Sequence, residues 1–282
     1  MTHSFNILVP TDYSEASVDV IEYALMTAEK FASAIYILHA YQVPVFPEEM
    51  PTQAMELEVK NIEDEANVKM EALIKNLKQK HENANLISLV EYGSAETKID
   101  DVVKDKSIDL VILGCKGGNA AQALLFGSIS SDSIGRIKCP LIIVPKNYKI
   151  MPIKNIAYAA SWLEEDDIKG IKNLLPWANA FEAKITIVHI YNSHENYTHE
   201  DRHRYEAKLR EAIGYNNVGF KLIESEDFNR GIEDFVTTEK PDLLVMVTHP
   251  RILFEGLYHP SFTKKILHHL NIPLLVFYAG NL

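Results

Sequence analysis

The sequence predicts an α/β protein of two tandem domains, each built on a five-stranded parallel sheet. Two observations carry that expectation: short β-rich apolar runs alternate with longer stretches of helical periodicity, and the whole pattern occurs twice. NILVPTDYSE at 6–15 returns as NIAYAASWLE at 155–164, and IYILHAY at 35–41 returns as ITIVHIY at 185–191. IDLVILGCKG at 108–117 returns as PDLLVMVTHP at 241–250, and CPLIIVP at 139–145 as IPLLVFY at 272–278. The last two echoes share one offset of 133 residues, Asp109 to Asp242 and Pro140 to Pro273, so the closing block is duplicated without a gap. Domains are expected at 1–147 and 152–282, joined by PKNYKIMP at 145–152, a linker short enough that the halves should pack together.

In the first copy, strands are expected near 5–9, 35–40, 86–90, 109–113 and 141–144, where apolar and β-branched residues cluster. Between the first two, Val18, Ile21, Leu25, Ala28 and Ala32 recur at helical spacing after a Ser/Asp-rich start. A longer amphipathic helix is expected over 52–81, because Val59, Ile62, Ala66, Met70, Leu73 and Leu77 fall on one face, which reads as core. Its counterpart near 198–213 is shorter. The acidic runs EEDD (164–167) and ESED (224–227) read as solvated surface.

With 282 residues and 47% hydrophobic content, the chain has material for substantial cores. A formal net charge of -11 argues against nucleic acid or an anionic membrane as partner, since phosphate repulsion would act over much of the surface. The opening MTHSFNILVPTDYSE has no basic region followed by a long apolar stretch, and PLIIVP and DLVILG are too short to span a bilayer. Cys115 and Cys139 are the two cysteines, without metal-type spacing, as expected of a reducing, cytoplasmic setting.

In an open parallel sheet, ligands settle beyond the carboxyl ends of the strands where the winding reverses. If strands 1 and 4 are neighbours there, Pro10, Thr11 and Asp12 meet the loop GCKGGNAAQALLFGSIS at 114–130. Gly114 and Gly117 remove the Cβ where a ribose or phosphate would approach the backbone. Gly127 leads into SISSDSIGRI, a predicted helix whose first turn offers free amides beside Ser128 and Ser130, and Lys116 adds a cation. The parts describe an anion site. The spacing is neither that of the P-loop nor that of the dinucleotide fingerprint.

Gly, two residues, Gly, nine residues, Gly-Ser resembles the ATP-binding branch of the universal stress protein family, and ILVPTDYSEAS resembles that family's opening strand and turn. The resemblance covers essentially the whole chain as a tandem pair. It implies a Rossmann-like fold of the adenine nucleotide alpha hydrolase type with strand order 3-2-1-4-5, and ATP or AMP as ligand. By it, the backbone at Ala40 reads the adenine edge and Asp12 lies near the nucleotide or a bound magnesium. Gly114 approaches the ribose, while Gly117, Gly127, Ser128, Ile129 and Ser130 hold the phosphates. Single domains of the family pair through their last strands, so PLIIVP and PLLVFY are expected to make an intrachain pseudo-dimer, with further homo-oligomers open. Protein partners are unnamed.

The two copies separate scaffold from site. Asp12 also fits a capping pattern, DYSE, and the second copy keeps SWLE without the carboxylate, so ligand and helix-cap roles both stay open. At the 133-residue offset Gly114 becomes Val247, Gly117 becomes Pro250 and Gly127 becomes Pro260, whereas Asp109 and Pro140 keep equivalents. Proline lacks an amide hydrogen and valine adds bulk, so the second loop loses donors worth roughly 1.5–3 kcal/mol each toward a charged acceptor. The first half is therefore expected to bind nucleotide and the second not. His39 and His189 hold the same strand position in both halves and read as packed structural residues. His199 and His203 lie one helical turn apart, with His194, His249 and His259 also in the second half, but no fixed pattern makes zinc an expected ligand. No Gln, Glu or Arg near the loop has an evident catalytic position, which argues against dedicated turnover; the resemblance implies a nucleotide-dependent stress-response regulator. Slow ATP hydrolysis or phosphotransfer and a ligand-free scaffold are the rivals.

Overall fold

A computed structural model of the chain describes residues 5–114, 137, 139–162, 164–192, 194, 198–248 and 271–278. The strands are β1 (Asn6–Pro10), β2 (Ala34–Tyr41), β3 (Asn85–Tyr92), β4 (Leu110–Gly114), β5 (Leu141–Val144), β6 (Asn155–Ala159), β7 (Lys184–Tyr191), β8 (Val218–Glu224), β9 (Leu243–Thr248) and β10 (Leu274–Tyr278). The helices are α1 (Glu15–Phe31), α2 (Thr52–Lys80), α3 (Ala95–Asp105), α4 (Glu164–Phe181), α5 (His199–Ile213) and α6 (Phe228–Glu239). The chain forms two compact units, Met1–Leu113 and Gly114–Leu282.

In the first unit the order is β3-β2-β1-β4, all parallel, with Ile7 opposite Ile35 on one side and Leu110 on the other. In the second, β8-β7-β6-β9-β10 reproduce the expected 3-2-1-4-5 order in parallel. β5 runs antiparallel to β10, with Leu141 opposite Val276 and Ile143 opposite Leu274, so the segments PLIIVP and PLLVFY pair within the chain. The pairing covers the edge that β10, last strand of the second copy, would otherwise leave open.

The central strands read as unbroken apolar runs because both their faces are covered. Ile7, Leu8 and Val9 in β1, and Leu110, Val111 and Ile112 in β4, are 0% exposed. The acids retained in both copies serve this frame. Asp109 accepts the Asn6 N–H at 2.8 Å, and Asp242 accepts the Lys154 and Asn155 N–H groups at 2.8 Å each, tying the start of β4 to β1 and of β9 to β6.

Helix α1 buries Val20, Ile21, Ala24, Leu25 and Ala28 and ends where Ala32 turns left-handed, its N–H returning to the Ala28 carbonyl. Helix α2 corrects the sequence-based stripe. Ala66, Met70 and Leu77 are buried, but Val59, Ile62 and Leu73 are only half-buried, and no residue of the helix before Ala66 is buried. Its first fourteen residues, almost four turns, include none that is buried, which periodicity alone cannot reveal. A second correction concerns EEDD: Asp167 is 2% exposed, an interior residue of α4 rather than solvated surface. No helix among the described residues is long and apolar enough to cross a membrane.

Candidate functional site

Because β1 and β4 pair side by side, their carboxyl ends emerge together, and the segment after β1 is built at that point. Pro10 and Thr11 are buried; the Thr11 N–H donates to the Leu38 carbonyl at 2.8 Å, carrying the β1–β2 ladder one residue past the strand. The hydroxyls then fall into one order. Ser17 Oγ gives its proton to the Ser14 carbonyl (2.8 Å), so Thr11 Oγ1 donates to Ser17 Oγ (2.8 Å) and accepts the Tyr13 N–H (3.0 Å). The Thr11 side chain is thus an internal brace of the turn.

Asp12 is half-exposed. Its Oδ1 accepts the Ser14 N–H at 3.0 Å and the Ser14 hydroxyl at 2.5 Å. Ser14, not Asp12, caps α1, accepting the Ser17 N–H on its own hydroxyl oxygen. The capping reading of Asp12 is overturned. The carboxylate instead holds the capping residue through its N–H and its hydroxyl.

Tyr13 takes a left-handed backbone, φ 64°, uncommon for a large side chain. Its ring lies 4.2 Å from that of His39, whose Nδ1 is 2.9 Å from the Thr11 carbonyl, and its hydroxyl donates to the Ala66 carbonyl of α2 at 2.8 Å. Burial pushes the Tyr13 hydroxyl up to about 12, so it stays protonated and a donor at any physiological pH. Ala40 follows His39 on β2, half-exposed and in register with Glu91 of β3, and Gly114 closes β4, also half-exposed. Lys116, Gly117, Gly127, Ser128, Ile129 and Ser130 lie outside the described residues.

The second copy keeps this frame with other chemistry. The Ala160 N–H donates to the Val188 carbonyl at 2.8 Å, and His189 Nδ1 is 3.0 Å from the Ala160 carbonyl. Trp162 replaces Tyr13 with nearly the same φ, 67°, its ring 4.8 Å from His189 and stacked 3.9 Å from Tyr205 of α5. Where Asp12 offers a carboxylate, Ser161 turns its N–H to Asp167 Oδ1 at 3.0 Å. Asp167 also accepts the Tyr205 hydroxyl at 2.7 Å and the Tyr158 hydroxyl at 3.4 Å. Burial raises the Asp167 carboxyl above its ordinary value, with the bonds from Ser161, Tyr205 and Tyr158 pulling the other way. Val247, at the place of Gly114, packs beside Gly170: a Cβ added there would sit 2.9 Å from Val247 Cγ2 and collide with the Tyr158 hydroxyl.

His39 and His189 are structural as expected, each set against the carbonyl that follows β1 or β6. Sequence reasoning passed over the aromatics Tyr13 and Trp162, although both echoes place a ring at that position. Among the described residues no group of three or more His, Cys, Asp or Glu is arranged to hold a metal. His249, His259 and Cys115 lie outside them, and Cys139 is half-buried.

A duplicated, parallel, Rossmann-like sheet with a braced loop beyond its first strand defines the structural class. The profile of the universal stress protein family matches residues 4–145 and 153–277, and the chain belongs to that family. A universal stress protein of Methanocaldococcus jannaschii is 26% identical over 144 residues, spanning 51% of this chain and 83% of its own length. The crystal structure of a universal stress protein from Archaeoglobus fulgidus covers 97% of this chain and 96% of its own, with TM-score 0.71 at 18% identity. A universal stress protein solved in complex with cAMP covers 50% of this chain and 95% of its own, at 20% identity and TM-score 0.32.

Proposed function

We propose that the chain binds ATP or AMP in its first repeat, 1–147, and acts as a nucleotide-dependent stress-response regulator, while the second repeat, 152–282, binds none. The observation that carries the reading is the contrast at the carboxyl ends of the two first strands. In one copy Asp12 stands fixed by Ser14 next to a strand that opens into a glycine loop. In the other Ser161 is turned to a buried acid, and Val247 fills the place of the first glycine. Pro10, Thr11 and Ala40 would offer backbone to the base and sugar, and the amides of Gly117 and of Gly127 to Ser130, with Lys116, would take the phosphates.

Magnesium suits the residues present. A half-exposed carboxylate beside a serine hydroxyl is a hard oxygen set of the kind that binds Mg²⁺ through one acid and the substrate's phosphates. In that role Asp12 would hold the ion and orient the phosphates, and the ion would neutralise their charge. The β5–β10 pairing supports the intrachain pseudo-dimer, in which the second repeat serves as a permanent packing partner in a cytoplasmic protein.

Protein purified without added nucleotide, then denatured and filtered, is expected to release an adenine nucleotide identifiable by its ultraviolet and mass spectra. A clean filtrate from protein that also takes up no ATP on later addition with Mg²⁺ would contradict the proposal.

A further inference from the structure

What the two copies share at this point is not the acid and not the glycines. It is a left-handed aromatic, φ 64° at Tyr13 and 67° at Trp162, set between the histidine of the second strand and the crossover helix that follows it. The links to that helix differ in kind. Trp162 stacks on Tyr205 of α5, and Tyr205 is bonded in turn to the buried Asp167. Tyr13 reaches α2 through a hydrogen bond to the Ala66 carbonyl.

The place of that bond matters. Ala66 is the first buried residue of α2, and the fourteen residues before it, 52–65, include none that is buried. A segment with so few buried contacts opens at low free energy, so a tether at its root has a large effect on its order. The other end of the tether is fixed by the groups that fix Asp12: the Tyr13 N–H sits on Thr11 Oγ1, and Ser14, the next residue, is held by the Asp12 carboxylate. A ligand that binds Asp12 Oδ1 competes with the Ser14 N–H and hydroxyl for that oxygen, and so acts on the backbone on which Tyr13 stands.

We infer that Tyr13 is a positioning residue that couples the loop after β1 to the overhanging half of α2, so that occupancy of the loop sets the order of residues 52–66. The inference rests on the nucleotide reading for the identity of the occupant but not for the tether itself. In the second copy the equivalent link is built from a stacked ring and a buried carboxylate, and the loop it leaves has no acid to respond.

Amide hydrogen exchange on the full chain tests both parts with Tyr13→Phe, which keeps the ring against His39 and removes the hydroxyl. Without nucleotide, the variant is expected to exchange about fivefold faster across 52–66, the factor that loss of one net hydrogen bond gives, with α1 and α3 unchanged. Equal exchange in the two proteins would overturn the tether. With both proteins saturated by ATP and Mg²⁺, the wild type is expected to change its exchange over 52–66 and the variant not to. A wild type that binds ATP without that change, or a variant that keeps it, would overturn the coupling. If the wild type takes up no ATP, the nucleotide reading and the coupling to it both fail, while the first comparison still decides the tether.

Discussion

Replacing Gly127 with valine is expected to abolish measurable ATP binding while leaving the fold intact. The second copy already shows that the scaffold tolerates the loss: Pro260 stands at the equivalent place, yet β6, β9 and β10 take the same parallel order as their predicted plan. On the proposed reading, a β-branched side chain in the first copy would crowd the phosphates against the amides that follow. Each charged hydrogen bond lost is worth roughly 1.5–3 kcal/mol, so losing two weakens binding by about 100-fold or more. Calorimetric titration checks the affinity, and an unchanged thermal midpoint checks the fold. A valine variant binding within about threefold of the wild type would remove the loop from the site.

The second large effect lies in the half proposed to be empty. Asp167→Ala is expected to lower stability by about 3 kcal/mol, because it strands the Tyr205 and Tyr158 hydroxyls and the Ser161 N–H in a buried space. For a unit of this size that is about 10 °C in thermal midpoint. Asp167→Asn, which can accept from Ser161 and donate to Tyr205, is expected to cost far less. The pH dependence separates charge from shape. The folded carboxyl holds its proton more tightly than the unfolded one, whose ordinary value is 3.8. Its contribution is therefore present in full below that value and is lost as pH rises through the higher folded value. The asparagine variant should lack this fall, so its midpoint gains on the wild type as pH rises through that window. Parallel midpoint-against-pH curves for the two proteins would contradict the placement of Asp167 as a buried, ionising anchor.

Much of the fold was legible because the central strands are covered on both faces, which leaves apolar runs such as ILVP and LVILG that no surface segment carries. The duplication then fixed which positions belong to the frame, and Asp109 and Asp242 prove to be frame residues by their bonds to the neighbouring strand. What escaped notice has physical causes. The stripe on α2 has helical period from end to end, but periodicity states that a face is apolar and not that anything packs on it. DYSE admits two caps, and Ser14 takes the role by accepting the Ser17 N–H while Asp12 accepts the Ser14 N–H. EEDD looked solvated because three neighbouring acids mask a fourth whose partners, Tyr158 and Tyr205, lie far off in sequence.

Of the candidate site, the opening turn was legible in the sequence, and the loop glycines after Gly114 lie outside the described residues. The aromatic that supports the turn was not, since a tyrosine in the left-handed region is dictated by tertiary contacts, here His39 and the Ala66 carbonyl, rather than by propensity.

The central claim is an unequal pair, one working crevice and one filled. Isothermal titration of the intact chain with ATP and Mg²⁺ tests it most directly: one nucleotide per chain is predicted, and a stoichiometry of zero or of two would contradict it.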